Sequence, residues 1–426
     1  MNENSSTARP EVHEPIFVEL EGALIRGDLL WESIFAFVGQ NVLHLCKLAV
    51  WLAGGIVPLR RRVLERVDLD VSRMPYDERL LSYLKEQKLR GRELVLTTRE
   101  NSKYAEPVAR HLGIFDRVLP GPGGTDLSEH TSQGGKILRP CIEAMRLHQW
   151  VKNLLVFVPL IMAHKILDPG LLVQAALAFV AFGLCASSAY VLNDLLDLAA
   201  DRQHAAKRQR PIAAGELSIK HALVLLLVLL AAGVSISLLL PPLVTVFVGF
   251  YYFVTLAYSL KLKRIPLVDV IVLALLYTLR LVTGGAATAI SLSFWLMAFS
   301  MFLFLSLALL KRYSELLAVN PPPGEAVAGR NYELRDMAGL AQFGSASGYI
   351  SVLVLALYVN SKEISLLYSQ PKLIWLLCPM LLYWVSRIWM LALRGDVHED
   401  PIVFTLEDQP SRWLGLAAIL VLWSAV

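Results

Sequence analysis

Cysteine is scarce in this chain, and charge is scarcer than in a soluble protein of its length. Only four cysteines occur among 426 residues, Cys46, Cys141, Cys185 and Cys378, and no two of them form a CxxC pair. That spacing excludes a disulfide frame and a thiolate metal site. Charged residues make up 18% of the chain against 55% hydrophobic, and the mean hydropathy is +0.53, which excludes an ordinary soluble fold. The net charge is only +4, and no basic run is interleaved with aromatics, so no nucleic-acid partner is expected. The opening residues "MNENSSTARPEVHEP" lack the basic, apolar, small-residue order of a signal peptide. The segment that follows is therefore expected in the cytoplasm.

What is present divides in two. Residues 1–145 carry ordinary charge, whereas 146–426 is a series of apolar segments of roughly 17–22 residues, the length that crosses a hydrocarbon core. Candidate spans are 150–166, 171–192, 221–240, 243–260, 267–283, 292–310, 337–359, 373–390 and 413–426, nine in all with the last one short. With the N-terminus inside, the inner loops receive Arg202, Lys207, Arg208, Arg210, Lys220, Lys261, Lys263, Arg264, Lys311, Arg312, Arg330, Arg335, Arg394 and Arg412. The outer loops hold little beyond Lys165, Lys362 and Lys372, as the positive-inside rule requires. The expectation is a multi-pass protein of the cell (inner) membrane, with its N-terminal domain cytoplasmic.

One inner block, "NDLLDLAADRQHAAKRQRPIAAG", has the makings of a site. At 100° per residue Asp194, Asp197 and Asp201 share one helix face. Three carboxylates so placed repel one another unless a cation joins them. Hard oxygen donors without His or Cys suit Mg2+, and Lys207, Arg208 and Arg210 follow as donors for phosphate oxygens. The expected ligand is a metal-bound diphosphate. A basic loop after a span needs no function, but the positive-inside rule gives no reason for carboxylates at i, i+3 and i+7.

Other polar residues gather on the same side. Asp269 and Arg280 are eleven residues apart, three turns on nearly one face, and are either functional or a structural ion pair. "RLHQWVKNLLVF" brings Arg146, Lys152 and Asn153, which are phosphate contacts or interfacial anchors. "LLKRYSELL" brings Lys311, Arg312, Tyr313 and Glu315 as a second phosphate clamp or further anchors, and Lys261 belongs to another inner loop, "YSLKLKRIP". The last polar block on this face is "RGDVHEDP".

At these residues the chain resembles the UbiA superfamily of intramembrane prenyltransferases, whose first acidic motif NDxxDxxxD is met by Asn193, Asp194, Asp197 and Asp201. The resemblance covers 146–426 and implies an all-α bundle of about nine transmembrane helices, Mg2+ and an isoprenoid lipid. The second acidic motif of that family, DxxxD, is missing: Glu315, Glu333 and Asp336 stand in other spacing. "RLHQWVKNLLVF" and "YTLRLVTGGAA" look more like the decaprenyl-phosphate phosphoribosyltransferase branch, which moves 5-phosphoribose from 5-phosphoribosyl diphosphate to a polyprenyl phosphate. That likeness implies Asp194, Asp197, Asp201, Lys207 and Arg210 around a departing diphosphate, with Lys152, Arg280 and Lys311 holding the acceptor headgroup and ribose phosphate. An aromatic polyprenyltransferase of quinone biosynthesis, a lipid-phosphate phosphatase and a non-catalytic lipid-binding protein are the competing readings.

In 1–145, "PIFVELEGALIRGD" and "RELVLTTRE" read as two buried parallel strands, followed by a helix in "NSKYAEPVARHLGI". This looks like a Rossmann-like α/β domain of the haloacid dehalogenase type in degenerate form. Glu19 and Glu21 stand where that family has its two aspartates and Ala23 where it has Thr, while Thr97 or Thr98 fits its second motif and Lys136 reads as a linker lysine or as a remnant of its third-motif lysine. No phosphatase activity is expected. The apolar stretch 29–59 is interrupted by Glu32, Asn41, His44 and Lys47, and so reads as a cap packed on the core or resting on the bilayer rather than as a span.

Overall fold

The apolar runs of the N-terminal region do pair as parallel strands. The computed structural model describes residues 14–41, 43–98, 103–121, 124–131, 137–204, 207–327, 330–361, 364–397 and 400–426; Lys136 lies outside them. β1 (Ile16–Glu19) pairs with β2 (Leu94–Thr98), in register Ile16 with Leu94. A third strand that the sequence reading lacked, β3 (Arg117–Pro120), adds to the other edge of β2 in parallel, giving the order β1-β2-β3. Every residue of central β2 is buried, as a strand covered on both faces should be. Four helices lie between β1 and β2: α1 (Leu29–Gln40), α2 (His44–Ala53), α3 (Ile56–Arg66) and α4 (Glu78–Leu89). α5 (Ala105–Leu112) connects β2 to β3, and α6 (Leu138–Met145) follows. Val18, Leu20, Leu80, Leu84, Leu96 and Val108 form the core around the sheet.

Among the described residues, the stretch 29–59 holds no helix long enough to cross a membrane: α1, α2 and α3 have 12, 10 and 11 residues. Asn41 ends α1 in extended backbone, and Gly55, with φ of 104° in the region open to glycine, turns α2 into α3.

The remaining helices are α7 (Val158–Met162), α8 (Pro169–Leu196), α9 (Leu198–Gln203), α10 (Ile219–Ser237), α11 (Pro242–Leu260), α12 (Val268–Thr288), α13 (Phe294–Val319), α14 (Met337–Val359), α15 (Ile364–Leu367), α16 (Leu377–Arg394), α17 (Pro401–Glu407) and α18 (Gln409–Ala425). Among the described residues seven helical stretches are long and apolar enough to cross a membrane, Pro169–Leu196 through Pro371–Arg394. The protein is a multi-pass membrane protein. The difference from nine has a geometric cause. The first expected span is a tight 3-10 segment, Leu147–Phe157, running into five-residue α7. The last is α18, whose 17 residues reach only about 25 Å.

The chain forms two compact units: Met1–Met145 with Tyr190–Leu226, and Arg146–Ala189 with Leu227–Val426. In the first, Trp31 and Phe35 of α1 pack on a cluster of Val191, Leu195, Leu198, Ile212, Ala213 and Leu217. In the second, α12 lies directly on the 3-10 segment at Gly284, where a Cβ would collide with the Val156 backbone. That close approach sets Asn153 beside Arg280. Further along, Ser306 of α13 donates to Gly344 O of α14 at 2.6 Å and accepts from Trp389 Nε1 of α16 at 3.1 Å, a polar tie between apolar helices.

Candidate functional site

The acidic motif sits where α8 hands over to α9. Asn193 and Asp194 are in the last turn of α8, and Asp197, at φ −94° and ψ 8°, is the residue between the two helices. Helical bonding survives the junction, since Asp197 N donates to Asn193 O at 2.9 Å and Asp201 N to Asp197 O at 2.8 Å. The face therefore continues, and Asp194 and Asp201 are both only 3% exposed. Their carboxylates converge on one atom: Arg210 Nη1 donates to Asp194 Oδ1 at 3.1 Å and to Asp201 Oδ2 at 2.5 Å. Asp197 is half-buried, and Lys207 is exposed on a 3-10 turn, Lys207–Gln209, beside Arg208.

The expected carboxylate triad is thus a pair bridged by a guanidinium. No group of three or more His, Cys, Asp or Glu side chains converges among the described residues. Burial and then the neighbouring Asp194 push the Asp201 carboxyl above its ordinary range, against the pull of Arg210 and Lys207. The pair still fits a divalent cation. Mg2+ commonly uses one or two carboxylates and completes its shell with water and phosphate oxygens, and here two carboxylates already aim at one cationic point.

A contact absent from the sequence reading holds this corner. Arg202, next to Asp201, makes a two-pronged pair with Glu32 of α1 at 2.8 and 2.9 Å, and its Nε donates to Ala213 O at 3.2 Å. Glu32 is therefore buried against a cation.

In the other unit a second polar set forms around a residue that was not singled out. Asp400 Oδ2 accepts from Lys152 Nζ and from Lys311 Nζ, each at 2.7 Å. Asp400 also caps α17, accepting from Ile402 N at 3.3 Å. Burial alone would raise its pKa, but Lys311 and Lys152 hold it well below the usual carboxylate range. The signal was an Asp directly before Pro401, the start pattern of a helix, inside the polar block "RGDVHEDP". Arg280 donates from Nε to Asn153 Oδ1 at 2.8 Å and from Nη2 to the Tyr251 hydroxyl at 3.2 Å, with its guanidinium 5.2 Å from the Phe182 ring centre.

Other predicted residues go elsewhere. Asp269 pairs with Arg312 at 2.7 Å and accepts from the Tyr332 hydroxyl at 2.6 Å, so the Asp269–Arg280 pairing is replaced by this one. Arg312 also pairs with Glu315, which Arg330 approaches at 3.5 Å. Arg312 and Glu315 thus belong to a partly buried ionic knot, and Tyr313 lies in the core, edge-on to Trp389 at 6.2 Å. Of "LLKRYSELL", Lys311 alone joins Lys152. Lys261 is exposed after α11, and Arg146 opens the 3-10 segment in left-handed backbone, φ 52°. An apolar cavity of about 930 Å³ opens in the same unit, lined by Met162, Trp295, Leu296, Phe299, Tyr358 and Leu381 among others.

In the N-terminal sheet Glu19 ends β1 in register with Thr97, whose Oγ1 donates to Val18 O at 3.2 Å. Glu21 pairs with Arg60 at 3.3 Å.

Comparison with known proteins shows what the chain is similar to. The model of the UbiA prenyltransferase family matches residues 154–320. The uncharacterized protein y4nM of Sinorhizobium fredii is 31% identical over 460 aligned positions, 94% of this chain and 89% of the relative, so the likeness runs through the N-terminal unit as well. The decaprenyl-phosphate phosphoribosyltransferase of Mycobacterium tuberculosis is 35% identical over 304 positions, 70% of this chain and 97% of that one. A UbiA homolog from Archaeoglobus fulgidus bound to DMAPP and Mg2+ shares the fold, with TM-score 0.52 at 16% identity, covering 67% of this chain and 98% of that one.

Proposed function

The chain belongs to the UbiA prenyltransferase family of intramembrane transferases, and from that premise we propose that it moves 5-phosphoribose from 5-phosphoribosyl diphosphate to a polyprenyl phosphate. The observation that carries this choice is the 35% identity across nearly the whole of a relative named for that reaction. Asp194 and Asp201, with Asp197 next to them, would hold Mg2+, which supplies charge neutralisation for the diphosphate. Arg210 exchanges its carboxylate contacts for phosphate oxygens when the donor enters, and Lys207 adds a second cation. As an acceptor phosphate oxygen bonds to the anomeric carbon, the bond from that carbon to the diphosphate oxygen breaks, and the diphosphate leaves with the electron pair. The acceptor is already an anion, so no general base is needed.

Lys152 and Lys311 suit the acceptor headgroup. The two amino groups share one carboxylate, and burial and the neighbouring Lys311 push the pKa of Lys152 down to about 7, so an incoming phosphate would stabilise its protonated form and be held by it. The Arg280 guanidinium donates to Asn153, to the Leu276 carbonyl and to the Tyr251 hydroxyl, all neutral groups, and we assign it to the ribose phosphate. The apolar cavity takes the first isoprene units of the tail. The N-terminal unit reads as a degenerate haloacid dehalogenase-like domain on the cytoplasmic side. The Glu19 and Glu21 side chains are longer than aspartate, and Glu21 is engaged by Arg60, so this unit serves support rather than phosphate hydrolysis.

Membranes containing the protein, given polyprenyl phosphate and Mg2+ with labelled phosphoribosyl diphosphate or labelled prenyl diphosphate in parallel, test the reading by mass spectrometry. Pentose label on the lipid is expected. Prenyl label on an aromatic acid such as 4-hydroxybenzoate would sink it in favour of quinone-type prenylation.

A further inference from the structure

α2 is apolar on two opposite faces. Its inner face carries His44, Leu48 and Trp51, spaced i, i+4 and i+7. His44 stacks on Phe37 at 4.0 Å and Trp51 on Phe37 at 5.4 Å, while Leu48 joins Leu59, Val63 and Val67. The outer face and the turn into α3 are equally apolar yet open. Leu43, Leu45, Val50, Leu52, Ile56 and Val57 are each between 52% and 76% exposed, and no residue of α2 is buried. A helix apolar all round needs a second apolar partner, and a contiguous patch of this kind marks an interaction surface.

Charge identifies the partner. Residues 33–64 contain Lys47, Arg60, Arg61 and Arg62 and no Asp or Glu at all. Glu21 engages Arg60 and Glu65 engages Arg61 at 2.9 Å, while Lys47 is exposed within the patch and Arg62 at its base. A second copy docking here would set these cations against themselves. An anionic lipid surface pairs with them. Such a surface is at hand, because the same unit includes the last residues of α8 and the first of α10, two of the spanning helices. Ten residues in α2 reach about 15 Å, half of a hydrocarbon core, so the hairpin lies in the interface and does not cross.

We propose that the α2–α3 hairpin is a monotopic lipid-docking element that lays Leu45, Val50, Leu52, Ile56 and Val57 into the headgroup region of an anionic bilayer, with Lys47 and Arg62 on lipid phosphates. This stands apart from the transferase reading, since it concerns a surface of the first unit and needs no turnover.

The chain carries its own probe. Cys46 is exposed on this hairpin, whereas Cys185 and Cys378 are buried and Cys141 is half-buried. The full-length protein is labelled at Cys46 with an environment-sensitive fluorophore in phosphatidylglycerol-containing vesicles, with Cys46→Ser as background. Quenching by lipids bearing nitroxide near the glycerol end is expected, with iodide quenching well below that of the free dye. The Val50→Glu/Ile56→Glu variant should regain iodide access while Cys185 and Cys378 stay protected from labelling, which shows that the fold is kept. Lys47→Glu should reduce the difference between anionic and neutral vesicles, with Arg62 keeping part of it. Free iodide access in the unaltered protein would overturn the proposal. So would shielding that vanishes when protein is diluted in lipid, which would mean that a second copy covers the patch.

Discussion

Asp201 and Arg202 are neighbours in sequence with opposite assignments. One faces Asp194 and Arg210; the other is clamped by Glu32 from 170 residues away. Glu32→Ala leaves a guanidinium without its carboxylate in a largely buried place, and should cost about 3 kcal/mol of stability. Thermal unfolding in detergent measures it, and a double-mutant cycle with Arg202→Ala should recover most of the loss. Asp194→Asn should abolish turnover and lower affinity for Mn2+ used as a paramagnetic probe, with near-UV circular dichroism unchanged. In the other unit, Lys152→Ala should raise KM for the polyprenyl phosphate by at least about tenfold, the worth of a charge-assisted hydrogen bond. It should leave KM for the diphosphate donor nearly unchanged. Lys311 keeps Asp400 paired in that variant, so loss of folding is not the expected outcome.

At the scale of elements, two contacts decide where helices stop and how closely they pack. Asp408 caps α18, accepting from Ser411 N at 2.9 Å, and pairs with Arg387 of α16 at 2.6 and 3.0 Å. Burial works to raise its pKa, but the Ser411 hydroxyl and Arg387 outweigh it and lower the value. A depressed carboxylate stabilises the fold above the unfolded Asp value, near 4, and this contribution disappears as pH falls through the folded one. Melting temperature should therefore drop on acidification below about pH 4, and the Asp408→Asn variant should show a flatter profile. Gly284 is the other contact. A methyl group there meets main-chain atoms of Val156, which cannot rotate away, so Gly284→Ala should cost about 1–3 kcal/mol in thermal unfolding. It should also weaken acceptor binding, because Asn153 and Lys152 ride on the displaced segment.

For the whole molecule, the first compact unit is built from two stretches far apart in sequence. A chain starting at residue 146 would strip Glu32, Trp31 and Phe35 from the acidic corner; it should elute as aggregate in size-exclusion chromatography and bind Mn2+ weakly. Much of the architecture was legible without coordinates. Apolar runs of spanning length, alternating charge across loops, the two strands around residues 16 and 94, and the face shared by Asp194 and Asp201 all follow from local periodicity and solvation, which act on neighbours in sequence. Where local signals were ambiguous, continuity decided: the segment at Leu147–Met162 reads as one apolar helix because composition does not reveal that it divides into a 3-10 stretch and a five-residue α-helix. Partner choice was not legible. Asp269 chose Arg312 over Arg280, Arg202 found Glu32, and Asp400 joined Lys152 across 248 residues. The sequence by itself determined that this is a membrane protein with an acidic motif suited to a diphosphate. Only the tertiary structure decided which charges neutralise one another and which remain to hold a ligand, because electrostatic pairing depends on distance and burial, and both are products of packing between segments remote in the chain.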